Sequence, residues 1–223
     1  MAVSEALLSV DPRARLLWAE PLIEAHPKSL DAADVERAAA FTRAQFQTFD
    51  MISGRMEPDL GGRPELLDLV GANFYPHNQW VIDEDEVFLG PVPIGHHAFR
   101  PLADMLVDLY RRYERPIVIA ETGAEGSGRA PWLHYVCQEV EIAMRAGVPV
   151  EGACLYPVVN YPGWDDDRHC ATGLFGLPDA DGDRALYQTL ADELARWRAR
   201  LEPTIAGCDN TGRMPNLALA IRA

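Results

Sequence analysis

Long apolar runs are missing from this 223-residue chain. The longest, such as Ile117–Ala120 and Leu217–Ile221, fall far short of the roughly 18–20 apolar residues that cross a bilayer, so no membrane partner is expected. A basic leader is missing as well. The N-terminal MAVSEALLSVDPRAR is interrupted by Glu5 and Asp11, and no signal peptide is expected. Positive charge is scarce: 20 Lys and Arg stand against 34 Asp and Glu, a net charge of −14. A protein that tracks phosphates carries a basic stripe. The local Arg groups (Arg111, Arg112, Arg115 and Arg196, Arg198, Arg200) instead sit in amphipathic helical patterns with acids nearby, so no nucleic acid partner is expected. Such acidity fits a neutral or cationic small substrate without specifying one.

Metal and cofactor signatures are equally thin. The cysteines, Cys137, Cys154, Cys170 and Cys208, form no CxxC pair. They match neither a zinc pattern nor a disulfide scaffold, and free thiols in a reducing cytoplasm follow. Adjacent His96 and His97 diverge on an extended segment and read as loop residues. Asp165-Asp166-Asp167-Arg168-His169 lacks the spacing of a calcium loop. It reads as a solvated loop or as the mouth of a pocket. No GxGxxG follows the first strand and no GxxxxGK[ST] occurs, so a nucleotide fold is unsupported. No cofactor is expected.

What is present is an ordinary globular composition, 48% hydrophobic and 24% charged, and an alternation of strand and helix patterns. Val3–Val10 reads as a helix stopped at Asp11-Pro12 and Arg15–Leu22 as a strand. Asp31–Ser53 repeats apolar residues at helical spacing between an N-cap Asp31 and a stop at Gly54. Leu66–Tyr75 is a second strand, Trp80–Pro93 an insert or small hairpin, and Leu102–Tyr113 a helix. Pro116–Glu121 is a third strand whose continuous apolar run suggests burial on both faces. Trp132–Ala146 is a helix, Val150–Tyr156 a fourth strand, and Ala185–Leu201 a final helix. Residues 202–223 form a tail of uncertain structure. One α element followed by four β-α units argues a parallel sheet with right-handed crossovers, hence a single α/β domain over 1–223. A β/α barrel and a flavodoxin-like sheet both remain open at this level.

Polar and aromatic residues gather just after each strand: Glu20 and His26; Asn73, Tyr75, Asn78 and Trp80; Glu121; Tyr156, Asn160, Tyr161 and Trp164. A β/α barrel builds its site from those ends, so this distribution favours the barrel. Glu121 closes the apolar strand PIVIA, where a carboxylate is held on a rigid element and can act as nucleophile or general acid/base. A Glu bonded to backbone amides is the blander reading of the same position.

IAETG after a buried strand, with NFYPHNQW before it and an aromatic-bearing fourth strand after it, resembles the C-terminal half of clan A glycoside hydrolases. The likeness is greatest to the family 1 β-glucosidases and their bacterial relatives. It runs over about Arg15–Trp197. The resemblance implies a TIM-type barrel, a carbohydrate substrate and a retaining mechanism. It implies that Glu121 is the nucleophile at the end of the seventh strand and that Asn73, Phe74 and Tyr75 are the Asn-aromatic-Tyr motif of the sixth, whose Tyr contacts the nucleophile. It makes Trp164 the sugar-stacking residue of the eighth-strand loop, with Tyr156 and Asn160 nearby. By their place after the strands, Asn78, Trp80 and His26 are further candidate substrate contacts, with a surface loop as the other reading of His26.

One feature departs from that family. Its acid/base Glu ends the fourth strand in an Asn-Glu pair usually followed by Pro. Here Trp18-Ala19-Glu20-Pro21 has Ala19 in place of the Asn, and only one strand separates it from that of Glu121. The count therefore makes this chain strands five to eight of an incomplete barrel. Glu20 becomes a pocket-lining or structural residue, with an acid/base role as the alternative. Two other functions compete: a non-catalytic carbohydrate-binding remnant, and a different barrel enzyme using Glu121 as a base. Half a barrel leaves two open edges and an uncovered face. The chain alone is therefore expected to oligomerise with itself, to aggregate, or to need a missing N-terminal half-barrel. Light scattering on the purified chain tests this, and a stable monomer would count against the half-barrel.

Overall fold

The computed structural model describes residues 1–85, 88–163 and 166–206, the last five by backbone only. Trp164, Asp165, Cys208 and Leu217–Ile221 lie outside the described residues. Along the chain come α1 (Ala2–Val10), β1 (Leu17–Pro21), β2 (Glu24–Pro27), α2 (Ala32–Ala44), α3 (Gln47–Ile52), β3 (Leu69–Asn73), β4 (Gln79–Ile82), β5 (Phe88–Pro91), α4 (Leu102–Tyr113), β6 (Ile117–Thr122), α5 (Arg129–Arg145), β7 (Val150–Leu155), the short strands β8 (Tyr161–Pro162), β9 (His169–Cys170), β10 (Phe175–Pro178) and β11 (Arg184–Leu186), and α6 (Gln188–Ala206). Among the described residues no helix is long and apolar enough to cross a membrane.

The main sheet has the order β1-β3-β6-β7, and every pair in it is parallel. Each strand lies beside its predecessor in the alternation. A doubly wound sheet reverses strand order at a switch point. No reversal occurs here, and that decides for the barrel-type winding. Among the described residues, α3, α4 and α5 pack on one face of this sheet. Val70, Ala72, Ile117, Ile119 and Val150 from the strands meet Phe49 and Ile52 of α3, Leu102, Met105, Leu106 and Leu109 of α4, and Val136, Val140 and Ala143 of α5 in one core. The expectation that β6 is buried on both faces fails. Ile117 and Ile119 are buried, but Val118 and Ala120 on the other side are half-buried. On the edge strand β1, Leu17 is 43% exposed. Arg15, just ahead of β1, donates both terminal guanidinium nitrogens to Glu151 of β7 (2.7 and 2.9 Å), tying one edge of the sheet to the other.

Several boundaries move for identifiable reasons. The single helix expected over Asp31–Ser53 is two. Gln45 breaks it by accepting the Ile23 amide (2.9 Å) and donating to the Ile23 carbonyl (3.1 Å). The short strand β2 was not anticipated. It pairs with β4 in a second sheet, β2-β4-β5, in which β4 and β5 form the hairpin expected over Trp80–Pro93. Ala185 and Leu186 belong to the β10-β11 hairpin rather than to the final helix, and that helix runs on to Ala206, into the segment read as a tail.

The first turn of α4 has no side-chain cap of its own. Two residues one turn apart on α5 take that role. Tyr135 Oη accepts the Leu102 amide (3.1 Å), and the Glu139 carboxylate accepts the Ala103 amide (2.9 Å) in a buried contact. A carboxylate there also meets the positive end of the helix dipole. Glu139→Ala leaves a buried amide without a partner. Urea unfolding is expected to show a loss of about 1–3 kcal/mol with an unchanged m-value.

Candidate active site

Side chains alternate along a strand. Continued through β6, that alternation sets Glu121 on the helix-covered face with Ile117 and Ile119. The strand does not keep the period. Ala72 pairs with Ile119, and the next residue, Asn73, pairs with Glu121, so two residues of β6 oppose one of β3. A bulge of this kind re-aims the side chain that follows it. Thr122 takes the covered face, 1% exposed, with its hydroxyl bonded to Trp132 Nε1 of α5 (2.9 Å). Glu121 turns to the open face.

There it meets Tyr75, whose hydroxyl donates to Glu121 Oε2 at 2.9 Å. Burial, the hydrogen bond and the negative charge of Glu121 together push the Tyr75 phenol far above its ordinary value of 10.0. It is therefore a proton donor at any physiological pH, and Glu121 is oriented as an acceptor. On the neighbouring strand Cys154 is exposed. Its thiol is pushed up by burial against its surroundings and by the charge of Glu121, so the two share one electrostatic site.

A cleft of about 390 Å³ opens beside Tyr75. Tyr156 and Tyr161 add two further rings to its wall, and His77, Arg168 and Thr172 supply polar groups. The loop after β6 reaches this wall through Gly123. A Cβ at that position would stand 2.2 Å from the Tyr156 carbonyl oxygen, so only glycine fits. Arg168 pairs with Glu125 across the mouth. The described part of that stretch, 166–169, thus contributes Arg168 to the cleft, which agrees with the pocket-mouth reading and not with the solvated loop.

The residues nominated from sequence separate into two sets. Glu121 and Tyr75 are in contact, Tyr156 lines the same cleft, and Asn73 sits in register beside Glu121. Asn73 Oδ1 is buried and has no partner among the described residues. The others are built into the framework. Asn78 is buried, and its side chain is spent on backbone. Nδ2 donates to the Leu22 and Asn73 carbonyls (2.9 Å each), and Oδ1 accepts the Tyr75 amide (3.2 Å). Asn160, also buried, accepts the Gly173 amide at Oδ1 (2.7 Å). Trp80 packs edge-on against Phe41 (5.9 Å between centroids) in the second sheet. His26 of β2 faces Gln79 Oε1 at 3.3 Å. Glu20 pairs with Ala72 and shares a strand face with Trp18, the helix-covered one. In this structure Asn78, Asn160, Trp80 and His26 have partners within the framework, and Glu20 lies on the helix-covered face of β1. A polar group buried near a strand end has to be satisfied, and backbone is the nearest partner.

No protein-family model matches the chain, and no curated protein matches it in sequence. Solved structures do match. A family 1 β-glucosidase from Thermotoga maritima superposes with a TM-score of 0.68 at 13% identity, over 87% of this chain and 53% of that one. A β-glucosidase from the same organism in complex with glucoimidazole gives 0.65 at 14% identity, over 86% and 54%. The β-glycosidase BGL167 gives 0.64 at 18%, over 89% and 46%. The chain therefore has the fold of part of a β-glucosidase barrel and spans about half the length of these proteins.

The proximity of Cys154 to Glu121 has a measurable sign. A neighbouring negative charge disfavours the thiolate, so Glu121→Gln lowers the Cys154 pKa. Alkylation of Cys154 by iodoacetamide at pH 8, followed by peptide mass spectrometry, is expected to quicken, because the thiolate is the reacting form. An unchanged rate would remove Cys154 from the field of Glu121.

Proposed function

We propose that this chain is strands five to eight of a retaining, β-glucosidase-like glycoside hydrolase, with Glu121 as nucleophile and the acid/base carboxyl supplied from outside the chain. The observation that carries the reading is the 2.9 Å bond from Tyr75 to Glu121 at the strand ends of a partial β-glucosidase barrel. In the proposed step Glu121 Oε attacks the anomeric carbon of a β-glycoside. The glycosidic bond breaks, the leaving oxygen takes a proton from the acid/base, and a glycosyl ester forms on Glu121. Water then hydrolyses that ester. The two carboxyls of such a pair stand about 5–5.5 Å apart. Tyr75 orients the attacking oxygen, and the tyrosines of the cleft offer apolar rings to the CH face of a sugar. The unpaired Asn73 Oδ1 marks a missing hydrogen-bond donor next to the nucleophile. The substrate class is carbohydrate. That the Thermotoga enzyme was solved with glucoimidazole supports a glucose-sized ligand. Three thiols free of disulfides, Cys137, Cys154 and Cys170, are in keeping with the cytoplasmic location proposed for it.

A second reading, a non-catalytic carbohydrate-binding remnant, draws on one observation. Glu20, the residue of the Glu-Pro pair considered as acid/base, shares the face of Trp18 and not that of Glu121.

Intact-mass labelling with a dinitrophenyl 2-deoxy-2-fluoro-β-glucoside separates the two. The leaving group needs little acid assistance, and fluorine slows breakdown of the ester, so the missing acid/base does not hide the nucleophile. The expected result is one adduct that maps to Glu121 and is absent from Glu121→Gln. No adduct on a folded chain overturns the nucleophile assignment for this chain and favours the remnant.

A further inference from the structure

Two successive peptide groups lead into Tyr75, and all four of their polar atoms are held. The Asn73 carbonyl accepts from the Leu22 amide and from Asn78 Nδ2 (2.9 Å each). The Phe74 amide donates to the Glu121 carbonyl (2.9 Å). The Phe74 carbonyl accepts from Thr122 Oγ1 (2.7 Å), and the Tyr75 amide of that same peptide group donates to Asn78 Oδ1 (3.2 Å). Thr122 is the centre of this arrangement. An indole nitrogen only donates, so the bond from Trp132 Nε1 occupies an acceptor site of the hydroxyl and leaves its one proton to the Phe74 carbonyl. The ring of Trp132 also stacks on that of Phe74, with centroids 5.5 Å apart and planes at 18°.

Thr122 directly follows the carboxylate, and Phe74 directly precedes the phenol. One buried hydroxyl thus couples the backbone that carries Glu121 to the backbone that carries Tyr75. A hydroxyl that merely satisfied a strand end would need no such adjacency to both members of the pair. We propose that Thr122 is a positioning residue: through the Phe74 carbonyl it fixes the peptide plane from which Tyr75 reaches Glu121. The proposal deepens the glycosidase reading and rests on it for the chemical step, whereas the contact between phenol and carboxylate can be read without any sugar.

The test uses Thr122→Val, which keeps the shape and removes the hydroxyl, with Thr122→Ser as the conservative variant. Carbon-13 tyrosine NMR at neutral pH follows the ring Cζ signal of Tyr75, which reports its hydrogen bond to Glu121, assigned from Tyr75→Phe. Tyr113, held at 2.9 Å by Asp50, serves as an internal reference for the fold. In Thr122→Val, the Tyr75 Cζ signal is expected to shift from its place in the parent chain while that of Tyr113 does not move. Thr122→Ser returns Tyr75 to the parent signal. The rate of fluoroglucoside labelling falls by about tenfold or more, since ~1 Å of misplacement can cost ~100-fold, with little change in the concentration needed for half-maximal rate. Trp132→Phe loses the indole donor and part of the ring that packs on Phe74 and Tyr135, so it lowers the melting temperature, while the hydroxyl of Thr122 and the Tyr75 signal stay in place. Should Thr122→Val not fold, Thr122→Cys keeps the volume with a weaker donor and carries the same expectation in smaller measure. A folded Thr122→Val chain whose Tyr75 Cζ signal matches that of the parent overturns the proposal. A Tyr75 response with no labelling of the parent chain upholds the positioning role and removes the glycosidase reading instead.

Discussion

A strand offers its residues to two faces in strict alternation, and the site of this protein exists because β6 breaks that alternation once. With Ala120 and Glu121 both opposed to Asn73, the carboxylate leaves the face of Ile117 and Ile119 and turns to the open side. Had the register continued, Glu121 would enter the helix-covered core, where an ionised carboxylate needs a buried partner. The bulge places apolar packing and polar chemistry on opposite sides of one six-residue strand. Tyr75 then completes what the bulge begins, by donating to the carboxylate at 2.9 Å.

The rest of the fold is organised to hold that strand from one side. The large core joins α3, α4 and α5 to the outer face of the sheet, and its buried strand residues come from β3, β6 and β7. The opposite face keeps partly exposed groups such as Leu17 and Cys154. The Arg15–Glu151 pair joins the two edges at the end of the sheet remote from the site. A pair so exposed contributes little to stability, ~0–1 kcal/mol, so packing on the helix side carries the fold. The cleft beside Tyr75 is walled in part by residues that follow β3, β6 and β7.

Much of the polar apparatus around the site is backbone support. Asn78 joins the segments after β1 and β3. Gln45 stitches α2 to Ile23. Gln79, 1% exposed, closes on Arg100 by accepting its amide (2.9 Å) and donating to its carbonyl (2.6 Å). Asn78 and Gln79 lie close enough in sequence to Tyr75 to be mistaken for ligand contacts. Each is committed to backbone because the turns leaving a parallel sheet expose amides and carbonyls that have no strand partner. The Tyr75–Glu121 pair stands on this frame, with Thr122 as the hinge between its two halves.

Composition and periodicity by themselves determined the class. Strand and helix patterns alternate because each strand buries apolar residues against a helix, and this local regularity is written in the order of residues. The NFY and IAETG segments likewise marked Asn73, Tyr75 and Glu121 at strand ends before any contact was known. Tertiary structure decided what depends on partners distant in sequence. The strand order that separates barrel winding from a doubly wound sheet is a matter of pairing. The bulge at Ala120 is a matter of register with β3, and no pattern within PIVIAE announces it. Asn78, Asn160 and Glu20 are the same residue types whether they face a ligand or the framework. Only the position of a backbone amide or carbonyl many residues away settles which groups remain free, because hydrogen bonds are satisfied in space and not along the chain.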